Sequence, residues 1–132
     1  GVLKVFRNVA AWSTGNALLT AVKQLGGAGT ISAGLSFGGN SGSRTTECEE
    51  FDGTSWSVSG VENLATATTN GVGFGTQSAG LYANGQGASG TTDLTEEYDG
   101  STWSAGGDLQ EAQHNTSGFG TLTAGVRFGG EN

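Results

Sequence analysis

The sequence repeats itself, and this repetition constrains the fold more than any single residue does. A run that ends in a tryptophan spans residues 29–56 and returns at residues 75–103, and its opening returns again from residue 120. Equivalent threonines are separated by 46 residues and then by 45 (Thr30, Thr76 and Thr121). A period of this length indicates supersecondary units that stack on their neighbours.

Each copy contains about four short runs with the character of β-strands. The clearest runs alternate apolar with small or polar residues and occupy residues 31–37, 79–83 and 122–128. A second type of run bears threonine and glutamate, at residues 45–51 and 92–98. The small residues Gly34, Gly80 and Gly125 predict that another sheet approaches closely there. The pattern predicts an all-β protein.

The segment from Ala17 to Leu25 has an apolar spacing that resembles a helix. Its equivalents, which begin at Asn63 and Asp108, carry threonine, asparagine and glycine that spoil a helical period. We therefore expect a loop followed by a short strand in each copy.

Every copy also pairs an aromatic residue with a tryptophan. The pairs are Phe6 with Trp12, Phe51 with Trp56, and Tyr98 with Trp103. The dipeptides Asp52-Gly53 and Asp99-Gly100 lie inside the last two pairs and favour tight hairpin turns, because glycine accepts a positive φ. We interpret the aspartates as turn formers and the tryptophans as packing residues between units, although an exposed tryptophan would stack on a sugar.

A strand closed by a diglycine, then an aromatic residue, then a tryptophan resembles the kelch motif. The matching residues are Gly38, Gly39, Phe51 and Trp56, then Gly85, Tyr98 and Trp103, and finally Gly129 and Gly130. The spacing from the aromatic residue to the tryptophan is shorter than in that motif, and Asn84 interrupts the second diglycine. The resemblance implies β-propeller blades of four antiparallel strands, as in the central domain of galactose oxidase.

The residues around these motifs are also similar to kelch-like repeats of bacteriophage virion proteins, such as tail fibres. That similarity implies a non-enzymatic structural or adhesive protein at a virion or extracellular surface. Its partners would be further copies of itself, other virion proteins or a host surface glycan. The alternative is a cytoplasmic kelch-type module for protein–protein interaction.

The length accommodates about three blades within one domain, residues 1–132. Two units are complete, at about residues 18–63 and 64–108, and the third is split between residues 109–132 and 1–17. Propellers typically close with 4–8 blades, so three blades need a partner. We expect a dimer to form a six-bladed ring, with a longer chain or an open fibre of copies as the alternatives.

The inventory of reactive side chains predicts no enzyme, cofactor or metal. His114 is the only histidine, and Cys48, the only cysteine, aligns with Thr95 of the next copy. A copper site like that of galactose oxidase needs more histidine and tyrosine, and a sialidase needs an arginine cluster. A degenerate propeller hydrolase or oxidase is the enzymatic alternative.

Acidic residues recur at equivalent places in the two complete units. They are Glu47, Glu49, Glu50 and Asp52, then Glu96, Glu97 and Asp99. Oxygen ligands of this kind suit Ca²⁺, but no loop has the spacing of an ion site. We interpret them as solvent-facing charge on an outer strand, which discourages aggregation through sheet edges.

The net charge of −7 argues against a nucleic-acid partner, and no apolar run is long enough for a membrane helix. The charge is also uneven. The first 46 residues carry four basic residues and no acid (Lys4, Arg7, Lys23 and Arg44), while the remainder carries all 12 acids and Arg127. Such asymmetry favours head-to-tail contact of copies, and a solvated acidic surface is the other interpretation.

The loops that differ most between copies are the candidate binding surface, because loops on a rigid scaffold often carry recognition. They span residues 40–44 and 86–91. Their candidate residues are Asn40, Ser41, Ser43 and Arg44 in the first loop, and Gln86, Ser89 and Thr91 in the second.

Overall fold

The structure, a computed structural model, describes residues 15–58 and 60–132. These residues form ten β-strands and no helix, which confirms the prediction of an all-β protein. The strands are β1 (Gly26–Thr30), β2 (Ala33–Phe37), β3 (Cys48–Phe51), β4 (Trp56–Ser57), β5 (Val72–Thr76), β6 (Ala79–Gly87), β7 (Gly90–Tyr98), β8 (Trp103–Ala105), β9 (His114–Thr121) and β10 (Ala124–Glu131). The described residues therefore include no helix that could cross a membrane.

The strands form three antiparallel sheets in chain order. Sheet 1 contains β1 to β4, sheet 2 contains β5 to β8, and sheet 3 pairs β9 with β10. Within each sheet every strand pairs with its neighbour in the sequence, so sheets 1 and 2 are meanders and sheet 3 is a hairpin. Residues 1–14, which include Trp12, lie outside the described residues. The predicted second half of the third unit, residues 1–17, falls mostly within this segment.

The segment from Ala17 to Leu25 contains no helix, as predicted. It is a loop with one isolated bridge, at Lys23, and β1 follows it. The loops before β5 and β9 have the same position, and the isolated bridge from Thr69 to Gln86 matches the one from Lys23 to Asn40. Threonine, asparagine and glycine therefore outweigh the apolar spacing here.

Several predicted strand boundaries are wrong, and two of the predicted starts fall in turns. Ile31 and Leu122 were expected to begin strands, but each lies in the two-residue turn between a pair of strands. Ile31 is 93% exposed because a turn residue has no cross-strand partner. The sequence period alone did not distinguish a turn from the first residue of a strand.

The diglycine positions also differ from the expected strand ends. Gly38 and Gly39 do follow β2, whereas Asn84 and Gly85 lie inside β6, at a bulge where the register with β7 shifts. Gly129 and Gly130 likewise lie inside β10. Asn84 has a φ of +49°, so asparagine takes the left-handed conformation that glycine takes in the first copy. The strand then continues to Gly87.

The two aspartates of the hairpins form their turns. The Oδ1 atom of Asp52 accepts the N–H groups of Thr54 and Ser55, each at 2.8 Å. Asp99 repeats this arrangement in the β7–β8 turn. These side-chain acceptors replace water for the N–H groups of the turn, as Asx turns do.

A hydrophobic core lies between sheet 1 and sheet 2. Its buried members are Leu35, Phe37, Cys48, Leu64, Tyr82, Tyr98 and Trp103. The ring of Phe37 is fully buried and packs edge-on against Tyr82 and Trp103, at centroid distances of 5.5 and 5.0 Å. Burial of one such side chain contributes roughly 1.5–3 kcal/mol. Trp103 therefore packs between sheets, while Trp56 is half-buried and packs on Phe51 of its own sheet, at 5.1 Å.

The first strands of the sheets approach closely because glycine lines them. A Cβ atom on Gly73 of β5 would contact the Phe37 ring and lie 2.8 Å from the backbone nitrogen of Gly27 in β1. A Cβ on Gly118 of β9 would lie 3.2 Å from Val72. The predicted close approach at Gly80 is present as well, because a Cβ atom there would lie 3.2 Å from the Cδ2 atom of Leu35.

Candidate functional site

The two predicted binding loops contact each other. The Nε atom of Arg44 donates to the carbonyl of Gln86 at 2.9 Å. Asn40 bridges to Arg44, and its side chain accepts the N–H of Gly42 at 2.9 Å. The loops thus form one polar surface across sheets 1 and 2.

The remaining loop residues lie around this contact. Ser41 and Ser43 close their own turn through a backbone hydrogen bond of 3.1 Å. Thr91 pairs with Gln86 in the β6–β7 ladder, and Ser89 is exposed at the tip of that hairpin. The structure therefore brings Arg44, Gln86 and Thr91 to one area and leaves Ser89 at its margin.

Few groups in the described ranges are placed for catalysis. No cluster of three or more His, Cys, Asp or Glu side chains there is arranged to hold a metal ion. Burial raises the pKa of the Cys48 thiol to about 12, so the sulfur stays protonated and unreactive. His114 lies 3.6 Å from Glu131 and 3.5 Å from the Thr91 hydroxyl.

The expectation of solvent-facing charge is wrong for two of the acids. Glu49 and Glu96 are 3% and 6% exposed. Glu49 accepts the N–H groups of Leu19 and Thr20, at 2.8 and 2.9 Å. Glu96 makes the matching pair of bonds, to the N–H groups at positions 65 and 66. Each buried carboxylate thus has two backbone N–H groups of a loop as hydrogen-bond partners.

A third carboxylate joins the sheets. The hydroxyl of Tyr98 in sheet 2 donates to Glu50 of sheet 1 at 3.0 Å. Burial and this carboxylate raise the pKa of Tyr98 far above its ordinary value. Tyr98 therefore keeps its proton and remains a donor at neutral pH.

The joint from sheet 1 to sheet 2 and the joint from sheet 2 to sheet 3 have the same backbone hydrogen bonds. The N–H of Asn70 donates to the carbonyl of Gln24 at 3.0 Å, and that of Asn115 donates to Asn70 at 2.8 Å. These three residues occupy equivalent positions and have φ values of +60°, +60° and +55°. They form a series of bonds that passes from one unit to the next.

Two further bonds recur at both joints. Gly39 donates to Thr68 at 2.9 Å at the first joint, and Gly85 donates to Gln113 at 3.0 Å at the second. Similarly, the N–H of residue 64 donates to the carbonyl of residue 46, and that of residue 109 donates to residue 93. The repeat of the sequence is thus also a repeat of the contacts between units.

Each sheet presents one face to the next sheet, which we term its front face, and one to the preceding sheet, its rear face. Leu35 and Phe37 lie on the front face of sheet 1 and contact the rear face of sheet 2 at Gly80, Tyr82 and Trp103. Phe74 of the front face of sheet 2 contacts Gly125 of sheet 3 in the same way.

The front face of sheet 3 is uncovered among the described residues. Phe119, Val126 and Phe128 are 64%, 53% and 51% exposed, and the two phenylalanine rings lie 6.0 Å apart. Their equivalents in sheet 2, which are Phe74, Leu81 and Ala83, face sheet 3. Three exposed large apolar side chains in one patch indicate an interaction surface.

Among the described residues, the rear face of sheet 1 is an open apolar groove of about 690 Å³. Its lining includes Leu18, Leu25, Gly34, Phe51 and Trp56. Phe51 and Trp56 are the counterparts of Tyr98 and Trp103, which are buried between sheets 1 and 2.

From the sequence, Trp56 is expected to be a motif and packing residue, and Phe119, Val126 and Phe128 are not recognised as a surface. The sequence period could have revealed this surface, because it aligns Phe128 with Phe37 and Val126 with Leu35.

No protein-family model matches the sequence, and a search of curated proteins finds no match.

Proposed function

We propose that this protein is a non-enzymatic structural protein whose sheets are kelch-like propeller blades and which assembles head to tail with further copies. One observation carries the proposal. Among the described residues, the front face of sheet 3 and the rear groove of sheet 1 are uncovered, yet their sequence equivalents form the buried joint between sheets 1 and 2. Apolar faces of this kind are buried when a further unit stacks on them.

The meander of four strands supports the blade interpretation. Sheets 1 and 2 each have the strand order of a propeller blade, and their first strands lie side by side through glycine contacts. Two copies of three units would form the six-bladed ring, and open stacking would form a fibre. We place such an assembly at a virion or extracellular surface, where it acts as a structural or adhesive component.

Sedimentation velocity of the purified chain, over a range of concentrations, tests the assembly. We expect species of at least twice the 13.2 kDa chain mass. A single species at the mass of one chain, at every concentration up to the solubility limit, would contradict the proposal.

The adhesive role belongs to the surface where Arg44 meets Gln86. Arg44, Gln86 and Thr91 offer a guanidinium, an amide and a hydroxyl, groups that hydrogen-bond sugar hydroxyls. We expect binding on a glycan array that is lost in Arg44→Ala and kept in Lys23→Ala, which removes an exposed cation of the loop before β1. An array without any signal would contradict the adhesive role and leave only the structural role of the proposal.

A further inference from the structure

We infer that the joint between two copies reproduces the joints within the chain, with the front face of sheet 3 of one copy in the rear groove of sheet 1 of the next. This inference rests on the proposed function, since it specifies the surface and the register of that assembly. The partner is a second copy of this chain, because the covered joints already show how such faces fit each other.

The aromatic contact fixes the centre of this joint. Within the chain, Phe37 on a front face packs edge-on against Trp103 on a rear face. Phe128 occupies the position of Phe37 in sheet 3, and Trp56 occupies that of Trp103 in sheet 1. Phe128 of one copy therefore packs against Trp56 of the next.

Beside this aromatic contact, a branched side chain packs against a glycine. A Cβ on Gly80 would lie 3.2 Å from the Cδ2 atom of Leu35, so the rear face has room for a front-face methyl only because residue 80 is glycine. The equivalent pair between copies is Gly34 and Val126. Gly34 lines the groove, and Val126 is 53% exposed.

A leucine covers the other side of the joint. Leu64 approaches Gly38, with its Cδ1 atom 3.2 Å from where a Cβ would be. The equivalents between copies are Leu18, which lines the groove, and Gly129, whose Cβ position has no other described residue within 4 Å besides its chain neighbours. Leu18 of the next copy thus fills the space beside Gly129.

The backbone series continues in the same register. The carbonyl of Asn115 ends the series that begins at Gln24, so it accepts the N–H of Gln24 from the next copy. Gly130 is equivalent to Gly39 and Gly85, and it donates to the carbonyl of Val22 of the next copy. Two hydrogen bonds and three apolar contacts then define one register.

The exposed position of Ile31 agrees with this register. Its equivalent, Gln77, reaches back from sheet 2 and donates to the carbonyls of Gly34 and Phe51 in sheet 1, both at 3.0 Å. In the joint between copies, Ile31 reaches the start of β10 in the preceding copy, near Ala124.

Cross-linking with a short bifunctional maleimide tests this register. One preparation carries Ile31→Cys and the other carries Ala124→Cys with a mass tag, and the buried Cys48 stays unreactive. We expect the mixed product to predominate over both homogeneous products. The matched control pairs Ile31→Cys with Ser89→Cys, at the tip of another hairpin, and should give no mixed product.

The outcomes separate the two proposals. Homogeneous products that equal or exceed the mixed one, or an assembly that gives no mixed product, would overturn the register while leaving self-assembly intact. Absence of assembly in sedimentation would overturn the proposed function itself. Loss of the mixed product when Phe128→Asp is added to the Ala124→Cys chain supports the joint, and its persistence contradicts it.

Discussion

At the scale of single residues, two buried carboxylates hold the loops that lead into the sheets. Glu49 and Glu96 each accept two backbone N–H groups, and such charge-assisted bonds are stronger than neutral ones. Because the same bonds occur in both units, each glutamate belongs to the framework of its unit.

We expect Glu96→Gln to lower the free energy of unfolding by roughly 1–3 kcal/mol. The substitution replaces one acceptor oxygen with an NH₂ group that faces a backbone N–H. Urea unfolding at neutral pH measures the effect. Glu47→Gln, at an exposed position of the same acidic cluster, is the control and should stay within about 0.5 kcal/mol of the parent. Equal stability of the two variants would contradict this role of Glu96.

The turn aspartates predict a dependence of stability on pH. The N–H groups of Thr102 and Ser101 lower the pKa of Asp99 from 3.8 to about 2. A lowered pKa means that the carboxylate stabilises the folded state above about pH 4 and loses this contribution as the pH falls toward about 2. We therefore expect Asp99→Asn, which does not titrate, to lose less stability than the parent between these values. Parallel unfolding curves against pH would contradict the prediction.

The sequence identified these turns because Asp-Gly acts locally. It did not identify the burial of Glu49 and Glu96, since alternation along a strand assigns a side chain to a face but does not reveal what packs on that face. The loops that receive these carboxylates lie about 30 residues away in sequence.

At the scale of strands, glycine sets how closely the sheets approach. Gly73 of β5 lies against Phe37 and against the backbone of β1. The repeated pattern predicted about four short strands in each unit, while the bulge at Asn84 and the turns at Ile31 and Leu122 depend on register, which tertiary pairing decides.

We expect Gly73→Ala to cost roughly 1–3 kcal/mol of stability, because the added methyl group has no space and must displace the Phe37 ring or β1. Gly107→Ala is the control, since within the described part of the chain a Cβ there meets nothing within 4 Å. Thermal unfolding of both variants measures the difference. A stable Gly73→Ala variant would mean that the two strands lie farther apart.

At the scale of the whole molecule, an all-β architecture of repeated units was predictable because the period of 45–46 residues is global. The uncovered end faces were not identified, because exposure depends on which neighbours are present rather than on residue type. Phe37 and Phe128 hold equivalent positions, yet the first is buried and the second is half exposed.

We expect Phe128→Asp to sediment as a single chain, because a carboxylate in the apolar groove would lose its hydration without a partner. Its fold should persist, since Phe128 is 51% exposed. Leu94→Asp, at an exposed apolar position of β7, should assemble like the parent. If both variants assemble, Phe128 does not contribute to the joint between copies.

The two end faces are unlike, and this difference gives an assembly a direction. A molecule damaged only at the aromatic patch of sheet 3 still offers a sound groove, so it joins the end of a growing fibre and then blocks further addition. A small fraction of such molecules would therefore shorten fibres sharply. In a closed dimer, by contrast, each damaged molecule would impair only the dimer that contains it.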